Sequence, residues 1–97
     1  MKYRIGDRVY PTDIDFIENI MRYEHNSILD IDDLVGVVVD CDDWKNRYFV
    51  VWLYYNRTRK IKFDHIHVDD YYTEAELTDD RKYFRDIVSD AEKDILG

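Results

Sequence analysis

The sequence predicts an α+β fold: a small antiparallel sheet with a helical insertion after its first strand and an amphipathic helix at its C-terminal end. Three observations predict it. Runs rich in Val, Ile, Tyr, Phe and Trp alternate with short turn-forming clusters. Ile14, Ile17, Ile20 and Met21 repeat at helical spacing soon after the first run. The last twenty residues carry one apolar stripe, Tyr83, Phe84, Ile87, Val88, Ala91 and Ile95, on an otherwise charged helix.

The elements follow in order. "KYRIGDRVYP" reads as a first strand, with Tyr3, Ile5 and Val9 in step, a kink or bulge at Gly6 and a stop at Pro11. "TDIDFIENIMRYEHN" reads as the inserted helix, with Thr12 and Asp15 at capping-box spacing. "SILDIDDL" fits a helical turn or an acidic loop equally well. "LVGVVVDCDD" is a strand with Val35, Val37, Val39 and Cys41 on one face and Gly36, Val38, Asp40 and Asp42 on the other. The Val face is expected inward, which would make Cys41 a small buried hydrophobe.

"RYFVVWLYYN" is the next strand, and it is unusual. Tyr48, Val50, Trp52 and Tyr54 share one face, and Phe49, Val51, Leu53 and Tyr55 the other. Both faces are apolar, so the second needs a cover: a helix of this chain, a second copy or a partner. "NRTR" is a turn in which Asn56 suits a positive φ. "KIKFDHIHV" is a strand with Ile61 and Phe63 inward and Lys60 and Lys62 outward, and "YYTEAEL" a short closing strand. Thr78 is the expected N-cap of the C-terminal helix, over residues 78–96, with Asp79 and Asp80 in its first turn.

Ninety-seven residues are read as one domain, 1–97. With 45% hydrophobic and 15% aromatic residues, the composition is that of a folded chain rather than a disordered one. Cys41 stands alone, which rules out an internal disulfide and fits a reducing compartment. No run reaches signal-peptide or transmembrane length, so a cytoplasmic protein without membrane contact is expected.

Charge is segregated along the chain. The net charge is −8, but residues 12–43 carry −9, residues 44–62 carry +6 and residues 63–80 carry −7. The acidic runs supply candidate protein-binding residues, with Asp30, Asp32, Asp33, Asp40, Asp42 and Asp43 in the first. Asp69, Asp70, Glu74 and Glu76 follow in the second, and Trp44 and Trp52 are candidate apolar anchors. Brought to one side, the acids would imitate a phosphate backbone and attract a basic groove. The plainer reading is a solvated surface that keeps the protein soluble.

The basic hairpin supports an alternative: a nucleic-acid module with Arg47, Arg57, Arg59, Lys60 and Lys62 on phosphates and Tyr54 and Tyr55 stacking bases. The overall charge of −8 opposes that at long range.

The order "IGDRVYP", "VGVVVD", "YFVVWLYY", "YYTEAEL" resembles small SH3-like barrels of the Tudor and KOW type. The matching residues are Gly6, Asp7 and Val9; Gly36, Val38 and Val39; Val50 and Trp52; and Tyr72, Glu76 and Leu77. The resemblance covers strands within residues 1–77; the inserted and C-terminal helices lie outside the pattern. It implies an SH3-like antiparallel barrel that binds protein tails, RNA or assemblies rather than performing chemistry. The small, acidic, Tyr-rich chain also looks like bacteriophage early proteins that block host factors, among which an acidic Tudor-like DNA mimic has anti-restriction activity. This implies a non-catalytic inhibitor, acting in a host cytoplasm, that occludes the basic surface of another protein. A homodimer and a subunit of a larger assembly are further readings.

Other chemistry has less support. His65 and His67 share a strand face with Asp69, but a zinc site needs further ligands, and Cys41 or His25 would have to meet them through the fold. No metal or cofactor is expected. Adjacent carboxylates recur throughout and single out no catalytic pair, so no catalytic residue is assigned. An aromatic cage for a methylated Lys or Arg would need three rings around one point.

Overall fold

The computed structural model describes residues 1–23, 34–56 and 59–96. The elements are β1 (Arg8–Pro11), α1 (Ile14–Tyr23), β2 (Val35–Asp42), β3 (Arg47–Asn56), β4 (Ile61–Thr73), a 3₁₀ turn (Glu74–Glu76), β5 (Leu77–Thr78) and α2 (Arg81–Leu96). The five strands form an antiparallel sheet in the order β4-β3-β2-β1-β5. β1 divides its partners: Arg8 and Val9 pair with β2, while Tyr10 and Pro11 pair with β5. Among the described residues the sheet is not closed, and β4 and β5 are its edges. No helix among them is long and apolar enough to cross a membrane.

The first strand is shorter than its sequence suggests. Asp7 N–H donates to the Arg4 carbonyl at 3.0 Å and Arg4 N–H to the Asp7 carboxylate at 2.9 Å, closing a turn. Gly6 holds that turn at φ +96°, a conformation glycine adopts without strain. Ile5 is therefore turned out to solvent, while Tyr3 and Val9 are buried.

Both helices start one or two residues later than the expected caps. Asp13 caps α1, accepting from Asp15 N–H at 2.9 Å, while the Thr12 hydroxyl reaches across to the Ala75 carbonyl. Asp80 caps α2, accepting from Lys82 and Tyr83 N–H at 3.0 and 3.2 Å. Thr78 instead accepts from Asp80 N–H. In each case Asp sits nearer the first free amides, and the Thr belongs to the approaching chain.

A bulge decides which face of β2 is inside. The buried residues are Gly36 and Val38, opposite Trp52 and Val50, so the Val35–Val37 face is outward. Register shifts at Val39, which is 43% exposed, so Cys41 returns to the inner face opposite Tyr48. The expected inward position of Cys41 holds, but its Val neighbours lie on the other side.

β4 also departs from expectation. It runs unbroken through the stretch read as two strands, and Glu74–Glu76 of "YYTEAEL" forms the 3₁₀ turn before β5. Near its start the register shifts again, and Phe63 adopts φ +57°. Ile61 and Phe63 are consequently exposed rather than inward. Among the described residues of the β3–β4 turn, positive φ falls on Lys60 and not on Asn56.

One core joins the inner sheet face to both helices. Tyr48, Val50, Trp52 and Tyr54 of β3 are buried with Val9, Ile17, Leu34, Phe84, Val88 and Ala91. Gly36 makes room for Trp52: a Cβ there would lie 2.5 Å from an indole carbon. The Trp52 indole N–H donates to the Tyr72 hydroxyl at 3.1 Å. α1 sets Phe16 against both rings, and α2 packs on α1, β1 and β5, stacking Phe84 on Tyr10 at 5.2 Å. Tyr83, expected in the α2 stripe, is 52% exposed.

Candidate functional site

β3 carries the two charged regions at its two ends, roughly 30 Å apart at 3.3 Å per residue. The acidic end is the β2–β3 turn. Asp40, Asp42 and Asp43 lead into Trp44, which is 89% exposed, and Asn46 completes the turn at φ +51°. The strand pairing of Arg47 with Thr73 places the 3₁₀ turn, with Glu74 and Glu76, alongside. Between them lies a cleft of about 470 Å³ lined by Met1, Lys45, Asn46, Tyr48, Thr73, Glu74 and Ala75.

Several of these acids are engaged locally. Arg47 donates to Asp42 at 3.1 Å, and its guanidinium lies 4.0 Å from the centre of the Tyr71 ring. Desolvation raises the Asp42 carboxyl, but the Arg47 bond, amide donation from Lys45 and Trp44 and the Arg47 charge together hold it below its ordinary value. Glu76 accepts from the amide and hydroxyl of Thr73, each at 2.9 Å. Asp40 and Asp70 each accept the amide of the following residue.

The basic end is the β3–β4 turn, with Arg59, Lys60 and Lys62 exposed. Tyr54, Tyr55, Lys62 and Phe63 line a cleft of about 340 Å³, and Phe63 is 57% exposed. The bulge that frees Phe63 is what opens this end to an aromatic contact.

The structure thus separates residues that the sequence grouped. Trp52 is fully buried and belongs to the core, so it is no surface anchor; Trp44 lies at the surface. Tyr54 is also buried, with its hydroxyl directed to Asp64. Arg47 stands at the opposite end of the strand from Arg59, Lys60 and Lys62, because β3 begins at Arg47 and ends at Asn56, just before their turn. Asp30, Asp32, Asp33, Arg57 and His25 lie outside the described residues, as do the side chains of His67 and Asp69. The sequence held one overlooked signal: a Gly opposite a Trp in neighbouring strands marks a buried indole.

Three rings do surround one point. Phe16, Trp52 and Tyr72 lie 5.4–5.7 Å apart, centroid to centroid. At those spacings they fill one another's faces, and they form packing rather than a cage. Among the described residues no group of three His, Cys, Asp or Glu side chains is placed to hold a metal. His65 pairs with Leu53 on the outer face and Cys41 with Tyr48 on the inner face, so the two do not meet. Burial, then the charges of Asp43 and Asp40, push the Cys41 thiol up and keep it a poor nucleophile.

Comparison with protein-family models, with curated proteins and with solved structures found no match to this chain.

Proposed function

We propose that this chain is a non-catalytic binding protein on an SH3-like scaffold, and that its acidic end occludes a basic, phosphate-binding surface of another protein. The scaffold reading rests on the strand order, on β1 turning a corner between β2 and β5, and on the 3₁₀ turn that leads into β5. The observation that carries the function is Trp44, 89% exposed at the tip of a turn entered through Asp40, Asp42 and Asp43. An exposed indole that follows acids in the same turn combines an apolar anchor with long-range attraction for cations. The carboxylates stand where phosphates would stand, so the protein competes with a nucleic acid as a DNA mimic does.

The test is affinity capture from a bacterial lysate with nuclease added and salt stepped upward. Trp44→Ala and Asp40→Asn/Asp43→Asn are run beside the native chain. A stoichiometric protein partner that survives nuclease, weakens with salt and is lost in both variants is the expected result. Capture that both variants leave unchanged overturns the reading.

A second reading is favoured by the aromatic cleft at the basic end. There Tyr55 and Phe63 would stack bases while Arg59, Lys60 and Lys62 hold phosphates. A gel-shift series on single-stranded DNA and RNA, with Arg59→Glu/Lys62→Glu as the control, tests it. Retention of the shift in that variant removes the cleft from consideration.

A further inference from the structure

The outer face of the sheet presents Val35, Val37, Phe49, Val51, Leu53 and Tyr71 side by side across β2, β3 and β4. All six are half-buried by their neighbours. Among the described residues neither helix lies over them: α1 places Phe16 against Trp52 and Tyr72, and α2 packs on α1, β1 and β5, within the core on the other side. Three strands and the span from Arg47 to Tyr55 make a plane of roughly 14 by 26 Å. A contiguous apolar area of roughly 360 Å² is the size of the largest patch on a typical monomer, which is often functional.

The charges at its two ends say what fits it. Asp40 and Asp43 lie at one end of β3, and Lys60 and Lys62 at the other. We propose that this face packs on a second copy of the chain about a two-fold axis lying between the two sheets, parallel to them and perpendicular to β3. That axis sets each acidic end against the other copy's basic end. An axis parallel to β3 would set acid on acid and base on base, so the charge layout selects between the two. A two-fold interface uses the same patch on both copies, and this patch is complementary to itself when reversed. At roughly 360 Å² a side it is smaller than a standard specific interface, so the dimer is a weak one that exchanges with monomer. The proposal shares Asp40 and Asp43 with the acidic-end reading but is tested apart from it: self-association is read on the chain alone, and Trp44 lies at the turn tip, beyond the apolar plane.

Sedimentation velocity over a range of about 1–200 μM tests it with the native chain and three variants. Val51→Lys puts a charge at the centre of the face and is expected to leave monomer at every concentration, with near-UV circular dichroism reporting that the fold is kept. Lys60→Glu/Lys62→Glu makes both ends acidic, and Asp40→Lys/Asp43→Lys makes both ends basic. Each alone is expected to weaken the dimer about tenfold or more, and an equimolar mixture to restore it as a heterodimer. A native chain that stays monomeric overturns the proposal, and so does a dimer that survives Val51→Lys. A mixture that associates no better than its components overturns the reversed orientation. A monomer that binds another protein through this face assigns the surface to that partner and overturns the second copy as its occupant.

Discussion

The two faces of β3 have nearly the same composition and opposite fates. Tyr48, Val50, Trp52 and Tyr54 are at most 6% exposed, whereas Phe49, Val51, Leu53 and Tyr55 keep contact with solvent. Hydrophobicity did not choose between them. Gly36 did, because only the face opposite a residue without a side chain can seat an indole, and the bulge at Val39 then brought Cys41 to the same side. Which face becomes the core is settled by shape on the neighbouring strand, and the other face keeps partial contact with solvent.

Trp52→Ala should break the comparison most severely. It empties the centre of the core and should cost about 3–5 kcal/mol in urea unfolding, enough to unfold a chain of this size in part. Gly36→Ala comes next. Its Cβ meets two neighbours, Trp52 and Val50, below 3 Å, and the strain should cost about 2–3 kcal/mol, read from the same unfolding curves. Tyr72→Phe removes only the acceptor of the Trp52 indole N–H. A loss of about 1 kcal/mol is expected, together with a changed Trp fluorescence.

On the outer face the same kinds of change should do little. Val51→Thr should alter unfolding by less than about 0.5 kcal/mol at low protein concentration. A larger loss would mean that something in the chain covers this face.

The smallest effect concerns acid. Asp42 titrates below its ordinary 3.8 in the fold, so its contact with Arg47 contributes stability above that value. That contribution is lost as pH falls through the folded value. Asp42→Asn should therefore lose that small contribution at neutral pH, and its stability should converge with that of the native chain below about pH 4, which flattens the acid side of the profile.

Much of the fold was legible in the sequence. The two helices, the strand order along the chain and the two-faced β3 all followed from periodicity and turn residues. The misreadings cluster where a single residue changes parity. Period-two alternation carries a face correctly only until a bulge, so Val39 and Phe63 reversed the assignments of their neighbours. Helix starts were misplaced because Thr12 and Asp13, like Thr78 and Asp80, are both capable caps, and only the path of the chain chooses between them.

The candidate site was legible as charge and not as geometry. Segregated charge became two ends of one strand, but a Trp at position 44 and a Trp at position 52 look alike until burial separates them. Arg47 counted with the basic hairpin in one dimension and stands with Asp42 and Tyr71 in three.

The divided pairing of β1 has a consequence for the order in which the molecule comes together during synthesis. Tyr10 meets Thr78, and the Tyr3 hydroxyl reaches the Leu77 carbonyl 74 positions away. A ribosome releases the first strand long before its second partner exists. Until β5 and α2 emerge, β2, β3 and β4 can pair as neighbouring hairpins while β1 keeps one side unclaimed. The nascent chain thus waits on β5 and α2 to be sealed, and a chain cut before Leu77 would expose that side to whatever strand it meets first.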